Sequence, residues 1–194
     1  MPPFITQHTI VAYLEDLPGV LTRVTTLVRR RGYNIASLAV GGTEKRGVSR
    51  LTLVFDADAD GARRLVANLY KLVNVLFVEH AKGGQEVVSR ELALVKVAAT
   101  SSSRGAILQL IEAFNARAVD IDPASLVIEL TDSAERIDSL VQVLEAYGIL
   151  ELVRTGTIAM RRGVDAAFVE RRTEALSASM LPPAGDDDDD EAAA

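Results

Sequence analysis

The sequence predicts an α+β protein made of two ferredoxin-like domains, each with the order strand, helix, strand, strand, helix, strand. Two observations predict it: apolar residues recur with helical or alternating spacing in the same order in both halves, and turn residues separate the segments. In the first half, the expected elements cover residues 8–15, 19–31, 35–42, 48–56, 60–72 and 74–80. In the second half, they cover residues 91–99, 104–115, 117–122, 125–131, 134–146 and 149–160.

In the second half, apolar residues recur with the spacing of a strand in some stretches and with that of a helix in others. Leu126, Ile128 and Leu130 occupy alternate positions, as in a strand that buries one face. Ile107 and Ile111 are four residues apart, which places them on one face of a helix. The change of period between these stretches therefore predicts a helix followed by a strand.

Residues with special backbone preferences fall between the expected elements. Asp122-Pro123-Ala124 is typical of a turn between two strands, Ser133 offers an oxygen to cap the next helix, and Gly148 is expected to end that helix. In the first half, Arg29-Arg30-Arg31 is followed by Gly32. Cations in a last turn suit the negative end of the helix dipole, so this basic run does not require a nucleic-acid partner.

Composition divides the chain into four segments: a first domain at 1–81, a linker at 82–89, a second domain at 90–163 and a tail at 164–194. Residues 186–191 hold six of the 27 acidic residues, which leaves 21 acidic residues against 21 basic ones elsewhere. The net charge of −6 thus comes from the tail. An acidic run cannot bury enough apolar surface to offset the entropy of ordering it, so the tail is predicted to be disordered.

The same composition excludes several classes of protein. The chain has no cysteine, which removes disulfides, thiolate metal sites and a cysteine nucleophile. We find no run of about 18 apolar residues and no basic-then-apolar leader, so a cytoplasmic protein with no membrane partner is expected. Four-stranded antiparallel sheets leave edges and one face open, which favours a homodimer.

Several motifs in the chain resemble one known family. They are Glu15-Asp16-Leu17-Pro18-Gly19-Val20-Leu21, Arg31-Gly32-Tyr33-Asn34-Ile35, Ser49-Arg50-Leu51-Thr52, Lys71-Leu72-Val73-Asn74-Val75 and Arg90-Glu91-Leu92-Ala93-Leu94-Val95-Lys96-Val97. Over roughly residues 5–163, the chain resembles the small, regulatory subunit of acetolactate synthase, also called acetohydroxyacid synthase. The Pro-Gly-Val-Leu turn occurs in many amino-acid-sensing ACT domains, whereas the other motifs are more specific to this family.

The resemblance implies that residues 1–81 form an ACT domain and that the chain is a non-catalytic subunit. It implies activation of the catalytic subunit and feedback inhibition by valine or a related amino acid, in the biosynthesis of valine, leucine and isoleucine. It also implies no cofactor of its own, because thiamine diphosphate, FAD and magnesium belong to the catalytic partner. The implied effector site, shared between two subunits of a dimer, consists of Asp16, Leu17, Pro18, Gly19, Val20, Leu21, Asn34 and Ile35.

The chemistry of these residues suits a free amino acid. Backbone N–H groups at the start of the first helix can bind a carboxylate, and Gly19 allows its close approach. Asp16 can accept from the ammonium group, and Asn34 offers both a donor and an acceptor. Many family members carry asparagine in place of Asp16, which leaves the effector's identity open. A purely structural alternative is a helix cap at Asp16 and turn residues at Gly19 and Asn34.

Other functions have less support in the sequence. His8 and His80 are the only histidines, and they are expected to lie apart on the surface unless subunits pair. Ser101-Ser102-Ser103 is interpreted as a helix cap rather than an anion site. RNA-recognition modules share the element order, but the central strands offer mainly aliphatic residues and the domains have no basic surplus. The remaining alternative is an ACT-domain sensor of another pathway.

Overall fold

The computed structural model describes residues 5–81 and 87–178. The first domain contains β1 (Thr6–Glu15), α1 (Val20–Arg30), β2 (Ile35–Gly42), β3 (Val48–Ala57), α2 (Ala59–Leu69) and β4 (Val75–Ala81). The second contains β5 (Val87–Ala98), α3 (Arg104–Phe114), β6 (Arg117–Ile121), β7 (Ser125–Asp132), α4 (Ala134–Leu144), a 3₁₀ turn (Glu145–Tyr147), β8 (Ile149–Arg154) and β9 (Ile158–Arg161). A fifth helix of the described residues, α5, spans Ala166–Ser177.

Both domains have the predicted ferredoxin-like topology. The first sheet has the strand order β2-β3-β1-β4, and the second has the corresponding order β6-β7-β5-β8. All of the pairings are antiparallel. Among the described residues, no helix is both long and apolar enough to cross a lipid bilayer. The α+β class predicted from the sequence is therefore confirmed.

Each domain buries one face of its sheet beneath two helices. In the first domain, Val20, Val24 and Val28 form the buried stripe of α1 and pack with Leu65 of α2 against Phe55 of the sheet. The second domain repeats this arrangement with Ala93, Val95 and Val97 of β5 beneath α3 and α4. The two separate cores explain why the apolar pattern occurs twice along the chain.

The predicted final strand at 149–160 and the linker at 82–89 both need correction. The expected strand breaks at Gly156, whose φ of +81° favours glycine, and it becomes β8 and β9. Residues 87–89 belong to β5, which is long enough to pair with β8 along one half and with β9 along the other. The rest of the expected linker, 82–86, lies outside the described residues.

The predicted disordered tail at 164–194 is wrong for residues 166–177, which form α5. The Asp165 side chain caps this helix by accepting from the N–H of Phe168 at 3.1 Å. Leu176 packs with Tyr13 on the face of the first sheet opposite α1 and α2, which was expected from the sequence to be open and available to a second copy. α5 was missed from the sequence because its apolar residues are too sparse to show a clear helical period. The acidic run, 186–191, lies outside the described residues.

Candidate functional site

The loop between β1 and α1 is fixed at its start by backbone hydrogen bonds. The N–H of Glu15 donates to the carbonyl of Asn74 at 2.9 Å, and the N–H of Asp16 donates to the carbonyl of Gly47 at 2.8 Å. Gly19 has a φ of +84° and immediately precedes α1. A side chain here would strain the backbone, although a Cβ would meet no atom within 4 Å. The turn therefore requires glycine for its conformation and leaves open space in front of it.

The first turn of α1 offers backbone donors without a side-chain cap. No side chain of the described residues caps this helix, so Asp16 does not act as the cap that the structural alternative suggested. The first turn also contains no acidic residue, while Arg29 and Arg30 occupy the last turn. The N–H of Val20 donates to the carbonyl of Leu17 at 3.3 Å, so the donors offered to a ligand are the N–H groups that follow it in the first turn. A helix N-terminus of this kind carries a partial positive charge, which suits a carboxylate.

Exposed apolar side chains flank these donors. Leu17 and Leu21 are each 40% exposed, whereas Val20 between them is buried. Asp16 is exposed beside the same turn. Backbone donors, a carboxylate and two exposed leucines therefore lie next to one another, as binding of an aliphatic amino acid would require.

Asn34 and Ile35 lie at the opposite end of α1. After the helix, Gly32 adopts a φ of +75° and the N–H of Tyr33 donates to the carbonyl of Val28 at 3.3 Å. The chain then enters β2, an edge strand of the first sheet. Because α1 has 11 residues, about 16 Å of helix separates Asn34 from the turn. One chain therefore does not bring the eight predicted site residues together.

One residue beside the turn was not identified as a site residue from the sequence. Asn74, just before β4, donates from Nδ2 to Glu15 Oε2 at 2.7 Å. Its Oδ1 accepts from Arg23 Nη1, also at 2.7 Å. Asn74 thus links the end of β1 to the first turns of α1. In the sequence, Asn74 stood out only as a polar residue before an apolar strand and as part of the motif Lys71–Val75 that resembles the family.

The two histidines are adjacent, contrary to the sequence prediction. His8 Nδ1 and His80 Nε2 are 3.1 Å apart, because β1 and β4 are neighbours in the ferredoxin-like strand order. The serine prediction is also corrected, since Ser103 does not cap α3 with its side chain. Instead, Thr100 and Ser103 bond each other reciprocally, with the Thr100 N–H donating to Ser103 Oγ at 3.0 Å. In the described ranges, no group of three or more His, Asp and Glu side chains could hold a metal ion.

A buried ion pair lies where the two domains meet. Arg154 donates to both oxygens of Glu91, from Nε at 2.7 Å and from Nη2 at 2.9 Å, and Glu91 is only 5% exposed. Arg154 Nη1 also contacts Asp138 of α4 at 2.6 Å. The hydrogen bond to Glu91, with the added contact to Asp138, raises the pKa of Arg154 further above its ordinary value. The guanidinium group therefore stays charged and joins β5, β8 and α4.

Comparison with known proteins matches both domains. Residues 11–77 match the family described as an AHAS small subunit-like ACT domain, and residues 90–163 match the family described as the small subunit of acetolactate synthase. The acetolactate synthase small subunit of Mycolicibacterium smegmatis is 42% identical over 156 residues, which cover 80% of this chain and 91% of that protein. The chain belongs to the acetolactate synthase small subunit family.

Another relative and a solved structure agree with this assignment. A probable acetolactate synthase small subunit of Archaeoglobus fulgidus is 41% identical and covers 81% of this chain and 98% of its own. The crystal structure of the small subunit from Thermotoga maritima has a TM-score of 0.77 at 31% identity, covering 82% of this chain and 99% of its own. The predicted family is thus confirmed, and the turn at Asp16–Val20 lies within the ACT domain of the family.

Proposed function

We propose that this chain binds the catalytic subunit of acetolactate synthase, raises its activity and makes it sensitive to feedback inhibition by valine or a related branched-chain amino acid. Membership of the small subunit family supports a regulatory role and a catalytic partner. The observation that carries the effector part is the uncapped start of α1, which presents backbone donors between two exposed leucines. Thiamine diphosphate, FAD and magnesium would belong to the catalytic partner.

Each part of an amino-acid effector has a matching group in the proposed site. Its carboxylate binds the N–H groups at the positive end of α1, where Gly19 leaves room. Its ammonium group donates to the exposed carboxylate of Asp16. Its branched side chain packs against Leu17 and Leu21. A free amine and a free acid on the same carbon are both needed, so we expect amino acids in which either group is blocked to bind less well.

Asn34 completes this site from a second copy of the chain. Since α1 separates Asn34 from the turn within one chain, a shared site forms only in a homodimer. The edge position of β2 supports such pairing, because an unpaired strand edge can add a partner strand. The effector then favours one dimer arrangement over another. A coupling of about 1 to 3 kcal/mol between effector binding and the catalytic site gives about 5- to 150-fold control.

The direct test is acetolactate formation by the catalytic subunit of the same organism, with and without this chain, across titrations of valine, leucine and isoleucine. We expect stimulation that valine reverses. Stimulation without inhibition by any of the three amino acids would contradict the effector part. Absence of both stimulation and co-purification would favour the remaining alternative, an amino-acid sensor of another pathway.

A further inference from the structure

A β-bulge lies directly after the proposed effector residues Asn34 and Ile35. In the pairing of β2 with β3, Ile35 faces Phe55 but Ser37 faces Val54, so Ala36 is an extra residue. A bulge changes the direction of the side chains that follow it and increases the local twist of the strand. Ser37 is therefore positioned by a backbone irregularity next to the proposed site.

Ser37 contacts the second domain. Its Oγ accepts a hydrogen bond from the N–H of Thr157 at 2.8 Å, in the turn between β8 and β9. Gly156 in this turn lies so close to β2 that a Cβ on it would be 2.7 Å from Ser37 Oγ and 3.4 Å from the carbonyl oxygen of Leu38. The turn therefore packs against β2 just beyond the bulge. It requires glycine at position 156, both because φ is positive there and because a side chain would clash with β2.

The turn is firmly attached to the rest of the second domain. The N–H of Thr155 donates to the carbonyl of Leu92 at 3.0 Å, and Thr157 Oγ1 donates to Glu91 Oε2 at 3.5 Å. Glu91 is held by Arg154, which also contacts α4. A displacement of this turn consequently moves the sheet and helix of the second domain as well.

A cleft beside this contact leaves room for such a displacement. Its volume is about 520 Å³, and its walls come from both domains, with Ala36 and Leu38 on one side and Asp138 and Thr155 on the other. Close-packed interfaces resist small movements, whereas an open cleft allows two domains to take up more than one relative position. Other contacts also join the two domains here, including Arg50 with the carbonyl of Ala159 and Arg161 with Glu79 at 2.5 Å. The contact at Ser37 differs from these because it lies two residues from Ile35 of the proposed site.

We propose that Ser37 is a positioning residue, through which effector binding at Asn34 and Ile35 changes the placement of the second domain. The inference rests on the proposed effector function and extends it by assigning a route. Effector contact with Asn34 shifts the start of β2, the bulge at Ala36 converts this shift into movement of Ser37, and the bond to Thr157 passes it to the second domain. The two states are the 155–157 turn seated on β2 and the same turn released from it.

The test compares Ser37→Ala with the parent and with Ser49→Ala, a control at a half-buried serine of the neighbouring strand β3. We expect Ser37→Ala to bind valine within about twofold of the parent, because it leaves the proposed site intact. We expect maximal inhibition at saturating valine to fall to less than half of the parental value. Ser49→Ala should keep both properties.

A second readout separates a coupling role from a merely structural one. In this account, valine and the catalytic subunit favour different placements of the second domain, and coupling between two binding events is reciprocal. The parental Kd for valine should therefore differ between the free chain and its complex with the catalytic subunit. That difference should disappear in Ser37→Ala and also in Gly156→Ala, whose Cβ would displace Ser37. Parental inhibition together with a parental Kd difference in both variants would overturn the inference. A parent that neither binds valine nor is inhibited would overturn the proposed effector function, and this inference with it.

Discussion

Leu176 of α5 lies buried against Tyr13 of β1, on the face of the first sheet that points away from α1 and α2. Arg172 strengthens the contact, since its Cζ lies 5.4 Å from the centre of the Tyr13 ring and its Nη2 lies 2.7 Å from Glu44. Lys45 donates to the carbonyl of Leu176. The chain segment after the second domain thus returns to cover the ACT domain and holds the loop between β2 and β3.

Leu176→Ala should destabilise the protein. The side chain is 4% exposed, and removal of a buried leucine costs about 2 to 5 kcal/mol, with the lower end expected in a small cluster. Urea unfolding followed by circular dichroism measures the change. Leu108→Ala is the matched control, because Leu108 is 39% exposed on α3 and should change stability by less than about 1 kcal/mol. Equal losses in the two variants would contradict the packing role of α5.

Truncation should separate α5 from the residues that follow it. A chain ending at Ala178 keeps α5 and is expected to unfold at the same urea concentration as the full chain. A chain ending at Gly163 lacks α5, exposes Val11 and Val48, and should unfold at a lower urea concentration. The disordered tail predicted from the sequence implies instead that this shorter chain unfolds as the full chain does. Identical midpoints for both truncations would restore that interpretation.

Arg154→Leu should lower the stability of the protein by more than the partial exposure of Arg154 suggests. The substitution leaves the Glu91 carboxylate buried without its two charged donors, and breaking a buried pair in this way costs about 3 kcal/mol. The control is Arg117→Leu, since Arg117 is 72% exposed in its pair with Glu129, and its loss should cost less than about 1 kcal/mol. Thermal unfolding compares the two. A smaller change for Arg154 than for Arg117 would refute the role assigned to the buried pair.

Gly19→Ala should affect both stability and effector binding. The positive φ of Gly19 makes any side chain unfavourable by about 1 kcal/mol, although no atom blocks the new methyl group. That methyl group would occupy the space in which we propose that the effector carboxylate binds, so we expect valine to bind at least tenfold more weakly. Gly41→Ala is the control, because Gly41 also has open space around it but a φ outside the left-handed region. Unchanged valine affinity by titration calorimetry in Gly19→Ala would argue against the carboxylate position.

Local sequence patterns predicted most elements because the apolar periods and turn residues act over short distances. Ser133 caps α4 as expected, and Gly148 follows the 3₁₀ turn that ends it. Contacts between residues far apart in the sequence could not be predicted from local patterns. The adjacency of His8 and His80 depends on which strands pair, and the contact between Ser37 and Thr157 joins residues 120 positions apart. The eight proposed site residues came from a family resemblance, which also implied that two subunits share them. The length of α1 in the folded chain gives the distance that separates Asn34 and Ile35 from the turn.

That separation makes complementation between two copies a decisive experiment. In a dimer, each proposed site takes its turn from one copy and its Asn34 from the other. Asn34→Ala and Gly19→Ala homodimers should therefore each lose valine binding at both sites. A mixed dimer of one Asn34→Ala copy and one Gly19→Ala copy contains one doubly altered site and one unaltered site.

The measurement is the stoichiometry of valine binding to this mixed dimer, prepared with two different affinity tags and followed by titration calorimetry. The shared site predicts one valine per mixed dimer with parental affinity, against two for the parent dimer. No binding to the mixed dimer, together with normal binding to the parent, would mean that the turn and Asn34 act within one chain and would contradict the account.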